Sequence, residues 1–182
     1  MSSIISAPTF GIPRPSTQFI DGVPIVPLMT AENAPVDWLV SDSEHFSTAP
    51  AWHAFDYITH ASNAMMVWSG WLSNGTALPH WVAIRCPYPL TINGYLVAPW
   101  TADNYNTRTP QAWLFQASHD GSNWATLDSR SGLSTGWTQW TDRRFSFTPP
   151  AVPYRWYRWY WTANGGNAYV GVSGLNLLGR FR

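Results

Sequence analysis

The chain reads as an all-β domain, an antiparallel sandwich or barrel preceded by an extended N-terminal arm. Short apolar or alternating runs recur along most of its 182 residues, and no stretch carries the 3.6-residue period of an amphipathic helix. Turn-forming clusters divide those runs: Asn74-Gly75, Asn93-Gly94, Asp120-Gly121 and Asn164-Gly165-Gly166. Thirteen tryptophans bring the aromatic share to 16%, and rings of that bulk need facing apolar surfaces such as those of two packed sheets.

The elements follow in order. Residues 1–28 hold Pro8, Pro13, Pro15, Pro24 and Pro27 with no sustained period, so this segment is expected to be an extended arm that docks on a partner. Residues 29–182 form the body. Its expected strands are 36–40, 81–86, 92–100, 112–118, 145–148, 154–162 and 169–178. Asp120-Gly121, between 112–118 and 124–127, predicts a tight hairpin. Pro149-Pro150 and Pro153 stop one strand before the run Tyr154-Arg155-Trp156-Tyr157-Arg158-Trp159-Tyr160-Trp161 begins. That run predicts a central strand with aromatics turned inward on both sides. Trp52, Trp68, Trp81, Trp113 and Trp124 are assigned to the core.

Composition excludes several classes of function. Ten basic and ten acidic side chains cancel, only 11% of residues are charged, and every base is an arginine. There is no lysine for a Schiff base or a phosphate loop, and no polybasic footprint for nucleic acid or an acidic membrane. The aromatic run could stack on bases, but zero net charge leaves no source of phosphate affinity. Cys86 is the single cysteine, so no internal disulfide exists, and its strand-like setting predicts a buried, inert thiol. No apolar run approaches the roughly 18 residues of a membrane span. The opening Met-Ser-Ser-Ile-Ile-Ser-Ala-Pro lacks a charged and an apolar region, so no signal peptide is read and synthesis in a cytoplasm is expected. His45, His53, His60, His80 and His119 show no zinc spacing. A glycosidase would need two carboxyl groups across a cleft; Asp42, Glu44, Asp56 and Asp103 are available, but nothing pairs them. A non-catalytic protein is the expectation.

The order of these signals resembles the discoidin family, the coagulation-factor C-type domains and the related family 32 carbohydrate-binding modules. The matching pieces are Met29-Thr30 with 35–42, Ala51-Trp52-His53-Ala54-Phe55-Asp56, Trp68, Trp81-Val82-Ala83-Ile84, Ile92-Asn93-Gly94-Tyr95, 113–124 with its Ser118-His119-Asp120-Gly121-Ser122-Asn123-Trp124, Tyr154-Arg155-Trp156-Tyr157-Arg158 and 164–172. The resemblance implies an antiparallel jelly-roll β-sandwich of about eight strands with a galactose-binding-like fold, ligand loops at one end and no catalytic role. It also implies a structural calcium site using the acid of the Ala-x-Asp piece, here Asp56, and a glutamate near the last strand. Gly174 stands where that glutamate is expected and Tyr57 replaces a glycine, which argues against calcium and leaves Asp56 a weak metal candidate; no cofactor is expected. The terminal cysteine pair of secreted animal members is absent, which fits a bacterial or phage origin.

A neutral sugar offers a C–H face to an aromatic ring and a rim of hydroxyls to in-plane donors and acceptors. The segment 100–108 supplies that mixture, so Trp100, Asp103, Asn104, Tyr105 and Arg108 are the first candidate ligand residues. The alternative is a solvated loop in which Arg108 pairs with Asp103. By the same resemblance, segment 41–46 contributes Glu44 and His45, and the turn before the last strand contributes Asn167 and Tyr169; packing or capping is an equal reading for His45 and Tyr169. Trp71 is a candidate exposed platform. The expected role is glycan binding and adhesion as a virion component, in a phage tail, baseplate or fibre, with residues 1–28 docking on other virion subunits. A purely structural decoration or assembly protein is the alternative, and self-association is left open.

Overall fold

A computed structural model describes residues 22–56, 70–101, 104–139 and 141–180. Eight strands appear in chain order: β1 (Leu39–Asp42), β2 (Trp71–Leu72), β3 (His80–Pro99), β4 (Pro110–Ser118), β5 (Ala125–Arg130), β6 (Arg143–Ser146), β7 (Tyr154–Asn164) and β8 (Gly171–Arg180). A 3₁₀ turn spans Ala51–Phe55 and a single helical turn, α1, spans Tyr105–Arg108. All strand pairings are antiparallel. One layer runs β1-β3-β7-β4-β5 and the other β2-β8-β3-β6, with β3 contributing its first half to one and its second half to the other. This is the all-β antiparallel sandwich that the sequence predicts.

The strand boundaries differ from expectation for local reasons. Runs 81–86 and 92–100 are halves of one strand, because β3 continues through Pro87 and Pro89 where its pairing with β7 slips between Arg85 and Leu90. Proline lacks an N–H, and a ladder irregularity is where that loss is tolerated. The first strand starts at Leu39 rather than at residue 36, after a turn with Asp37 at a positive φ of 73°. Trp124 ends the hairpin turn, and β5 starts one residue later. In that turn the Asp120 carboxylate accepts hydrogen bonds from the backbone N–H of Ser122 and Asn123 at 2.8 Å each. Those donors, led by Asn123, hold its carboxyl well below the usual carboxylate range.

The core lies between the layers and is largely aromatic. On β7, Tyr157, Trp159 and Trp161 are fully buried. Trp156, Arg158 and Tyr160, on the opposite face, are half-buried. Aromatics therefore pack inward on one side of β7, not both, since among the described residues no third layer covers the other side. Trp113 is in the core as expected, but Trp52, Trp81 and Trp124 are half-buried. Trp81 pairs with Tyr160 and so shares that outward face, which the neighbouring sequence alone does not disclose. Trp68 lies outside the described residues. Residues 22–28, assigned to the arm, rest on β8: Ile25 and Val26 are buried and both backbone N–H groups donate to Asn176 Oδ1 at 3.0 Å. Cys86 is buried, and desolvation pushes its thiol up, the opposite of an activated thiolate.

Tyr95 is the hub of the interior. Its ring stacks on Phe115 at 4.3 Å and Phe145 at 5.3 Å, and meets Trp159 edge-on at 6.1 Å. Its hydroxyl donates to Asp128 Oδ2 at 2.6 Å and accepts from Trp113 Nε1 at 2.8 Å. Arg130 Nε closes the network on the same carboxylate oxygen at 2.7 Å. Tyr95→Phe keeps the ring packing but strips the indole N–H and the carboxylate of a partner. It should destabilise the fold by about 1–3 kcal/mol in denaturant unfolding, with little change in the slope.

Candidate functional site

Four connections meet at one end of the sandwich: 43–48 after β1, 73–79 after β2, 100–101 and 104–109 after β3, and 165–170 after β7. Tyr169 is where they touch. Its ring meets Phe46 edge-on at 6.2 Å, and the Arg108 guanidinium carbon lies over it, 5.2 Å from the centroid. A methyl group at Gly75 would come within 2.9 Å of the same ring, and Gly75 itself has φ +77°. Only glycine meets both demands cheaply, so the Asn74-Gly75 turn can lie against Tyr169.

The polar groups are placed from neighbouring loops. Glu44 Oε1 accepts from Thr76 Oγ1 at 2.6 Å and lies 3.4 Å from Nδ1 of buried His80. His80 Nε2 faces the Thr76 carbonyl at 3.2 Å, so one histidine ties the second loop to the acid of the first. His45 Nδ1 is 2.9 Å from Asp42 Oδ2, which directs the rest of its ring outward. Asn104, at φ 57°, accepts the backbone N–H groups of Thr107 and Arg108 and thereby closes α1. Asn167 Nδ2 donates to Thr107 Oγ1 at 3.2 Å, while its Oδ1 accepts from the Tyr169 N–H at 3.1 Å. The structure thus gathers Glu44, His45, Asn104, Tyr105, Arg108, Asn167 and Tyr169 at one end.

Two candidates are corrected. Trp71 is 0% exposed and Trp100 1%, so neither offers a ring to a ligand. Trp71 belongs to the main core, and its indole N–H is shared between Asp42 Oδ2 and the Glu44 carbonyl, both at 3.1 Å. Trp100 packs with Ala49 and Leu72 in a small second core, against which Tyr105 and Tyr169 lean. Both tryptophans are the floor on which the loops stand. A ring beside a polar loop reads as a platform, but Trp71 opens β2 and Trp100 follows the end of β3, where the inward-facing ring is sealed. Asp103 lies outside the described residues, as does any pairing of it with Arg108.

Phe46, Thr76 and His80 were not among the candidates. Phe46 is 42% exposed and sits in the polar stretch Ser41-Asp42-Ser43-Glu44-His45-Phe46-Ser47-Thr48. A lone large ring in such a stretch was the available signal. His80 carried none, since its role depends on a loop distant in sequence.

The calcium site implied by the family pattern does not fit these residues. Gly174 brings no side-chain donor, and Asp56 is buried with His53 Nδ1 2.9 Å from its carboxylate. Among the described residues no three acids, histidines or cysteines gather as a metal would require.

No protein-family model matches the sequence, and no curated protein matches it. Solved structures do. A family 32 carbohydrate-binding module of Clostridium perfringens, in complex with GalNAc-β-1,3-galactose, superposes with a TM-score of 0.62 at 12% identity, covering 78% of this chain and 94% of that one. The family 32 module of NanJ from the same organism, in complex with galactose, gives 0.60 at 14%, covering 78% and 93%. An F5/8 type C domain of a Bacteroides fragilis protein gives 0.57 at 16%, covering 80% and 93%. The chain has the discoidin-like β-sandwich fold that these domains share.

Burial pushes the Asp42 carboxyl above its ordinary range, and the pull of His45 and the Trp71 N–H offsets part of that push. A raised folded-state value means that the group's contribution to stability is full at acid pH and is lost as pH rises through that value. The wild-type minus Asp42→Asn difference in unfolding free energy should therefore fall as pH rises out of the ordinary aspartate range. A carboxyl-carbon NMR titration should place the Asp42 midpoint above that of an ordinary aspartate.

Proposed function

We propose that this chain is a non-catalytic carbohydrate-binding module and that the end built around Tyr169 is its glycan site. The observation that carries the reading is the convergence of an exposed ring, Phe46, with Tyr169, Arg108, Glu44, His45 and Asn104, contributed by separate loops. Phe46 gives a C–H face a surface to stack on, and the surrounding donors and acceptors match a hydroxyl rim. The sheets and the two buried tryptophans hold those loops, so little ordering is left for the ligand to impose. The solved structures that share the fold include modules captured with galactose and with GalNAc-β-1,3-galactose, which supports a sugar as the ligand class.

The same geometry favours binding over turnover. Asp42 is engaged by His45 and Trp71, and Glu44 by Thr76 and His80. Both carboxyl groups are thus engaged within the fold, whereas glycoside hydrolysis needs two of them turned toward the scissile bond.

For biological context, we infer an adhesion subunit of a phage tail, baseplate or fibre that recognises a host surface glycan. Composition supports this: a proline-rich start, no lysine and few charges suit a protein held in an assembly. Ile25 and Val26 belong to the core, so within the arm of residues 1–28 we assign the docking role to residues 1–21.

A glycan array followed by calorimetry tests the site. Phe46→Ala should weaken the best ligand about tenfold or more and leave the melting temperature nearly unchanged, whereas Tyr169→Ala should match the loss of affinity and also lower the melting temperature. Silence across the array with the fold intact overturns the sugar reading in favour of a structural protein. Deleting residues 1–21 should abolish incorporation into particles, scored by immunoblot of purified virions, while the isolated domain still melts cooperatively.

A further inference from the structure

The sequence places glycine after asparagine three times, at Asn74-Gly75, Asn93-Gly94 and Asn164-Gly165. In such a pair the asparagine side chain is open to attack by its own main chain. The backbone nitrogen of the glycine can reach the side-chain carbonyl carbon, because no Cβ stands in the way. Whether it does so depends on how firmly the fold holds the two reacting groups, and the three pairs differ in that respect.

Two of the pairs are held. Asn93-Gly94 lies inside β3, where Gly94 is aligned with Ser146 on one side and Leu178 on the other. The Asn93 carbonyl accepts the Phe147 N–H at 3.1 Å, so this pair is locked between neighbouring strands. The Asn164 amide donates to the carbonyls of Asn167 at 2.9 Å and Tyr169 at 2.6 Å, and its oxygen accepts the Gly166 N–H at 3.0 Å. Swinging it onto Gly165 would break those bonds. Asn74 is different. Its side chain is exposed, and among the described residues no hydrogen bond holds either the Asn74 amide or the Gly75 N–H. The chain on either side is anchored: the Ser73 N–H donates to the Val170 carbonyl at 2.9 Å, Ser73 Oγ accepts the Val170 N–H at 3.0 Å, and Thr76 is tied to Glu44 and His80. Gly75 meanwhile rests on the Tyr169 ring too closely for a side chain to fit between them.

We propose that Asn74 is a spontaneous deamidation site whose conversion unseats the turn that lies on Tyr169. The Gly75 nitrogen gives its proton to a base in solution and bonds to the Asn74 side-chain carbonyl carbon. The carbon–nitrogen bond of the side-chain amide breaks and ammonia leaves. Water then opens the resulting succinimide at either carbonyl, so that aspartate or isoaspartate stands at position 74; nothing is oxidised or reduced. In isoaspartate the main chain runs through the side-chain methylene, which makes the segment between the two anchors one atom longer. Tyr169 already fills the space against Gly75, so the added length lifts the turn away from the ring and strains its ties to Glu44 and His80. The inference rests on the seating of Gly75 against Tyr169 and not on what the loop end binds.

Incubation of the full chain in mildly alkaline buffer, with and without denaturant, tests it when followed by peptide mapping with mass spectrometry and isoaspartate-specific enzymatic methylation. In the folded chain the Asn74 peptide should convert about tenfold or more faster than those of Asn93 and Asn164, whose hydrogen bonds must open first. In denaturant the three should convert at similar rates. The isoaspartate form, separated by ion exchange, should melt at a lower temperature and show displaced Tyr169 ring resonances. Asn74→Gln, whose longer side chain closes a ring far less readily, should stay unconverted and keep the wild-type Tyr169 signals. The proposal is overturned if Asn74 stays intact in the folded chain while the unfolded chain converts, or if Asn93 or Asn164 keeps pace with it there. An isoaspartate form with unchanged Tyr169 signals and melting curve also overturns it.

Discussion

The two-residue alternation of β7 is the constraint on which the rest of this structure depends. A strand with a third sheet over its other face would bury every ring, and a strand with water on both faces would keep none. Here Tyr157, Trp159 and Trp161 point into the space between layers and make the core, with Trp113, Phe115 and Tyr95 closing around them. A shift of one residue in pairing would exchange those rings for Trp156, Arg158 and Tyr160. Two burdens would follow at once, a guanidinium in the core and three large rings in water. Register is therefore strongly held, and β7 can sit between β3 and β4 without a disulfide to fix it.

Holding that register also fixes the ends. β7 stops at Asn164, whose amide donates to the carbonyls of Asn167 and Tyr169 and folds the following turn back. Gly165 lets that turn lie directly against the backbone of Asn106, where a side chain would collide. Asn167 then reaches Thr107, and Tyr169 reaches Phe46, Gly75 and Arg108. A chain of short-range choices thus carries order from the central strand to the loop end. Trp71 and Trp100 complete it from below: one anchors the first loop through its indole N–H, the other fills the small core under Tyr105 and Tyr169.

Much of the fold was open to reading because its signals are local. Alternation gives strands, and Asp120-Gly121 gives a hairpin. What escaped depends on partners remote in the chain. Whether a ring next to a polar loop is platform or floor is decided by what lies opposite: Gly171 leaves room for Leu72 and Trp100 to meet beneath the loop, and no window of sequence shows that. Bulk places Trp81 and Trp124 inside, but register turns Trp81 outward beside Tyr160 and Trp124 sits in the hairpin turn, half-buried. His80 is the clearest case. Its partners Thr76 and Glu44 belong to different loops, so its role exists only in three dimensions.

The neutral composition conceals an uneven surface. Total charge measures what a distant partner feels, but a guanidinium beside an indole acts over a few ångströms. On the outer face of the larger layer, Arg158 is kept in position by Gln116, Trp124 and Tyr160 rather than by acids. At the loop end it is the acids that are answered: Glu44 and Asp42 are already matched with Thr76, His80, His45 and Trp71, while Arg108 lies over the ring of Tyr169. One scaffold therefore presents two surfaces of different chemistry, and the difference arises from which charges the fold itself has answered.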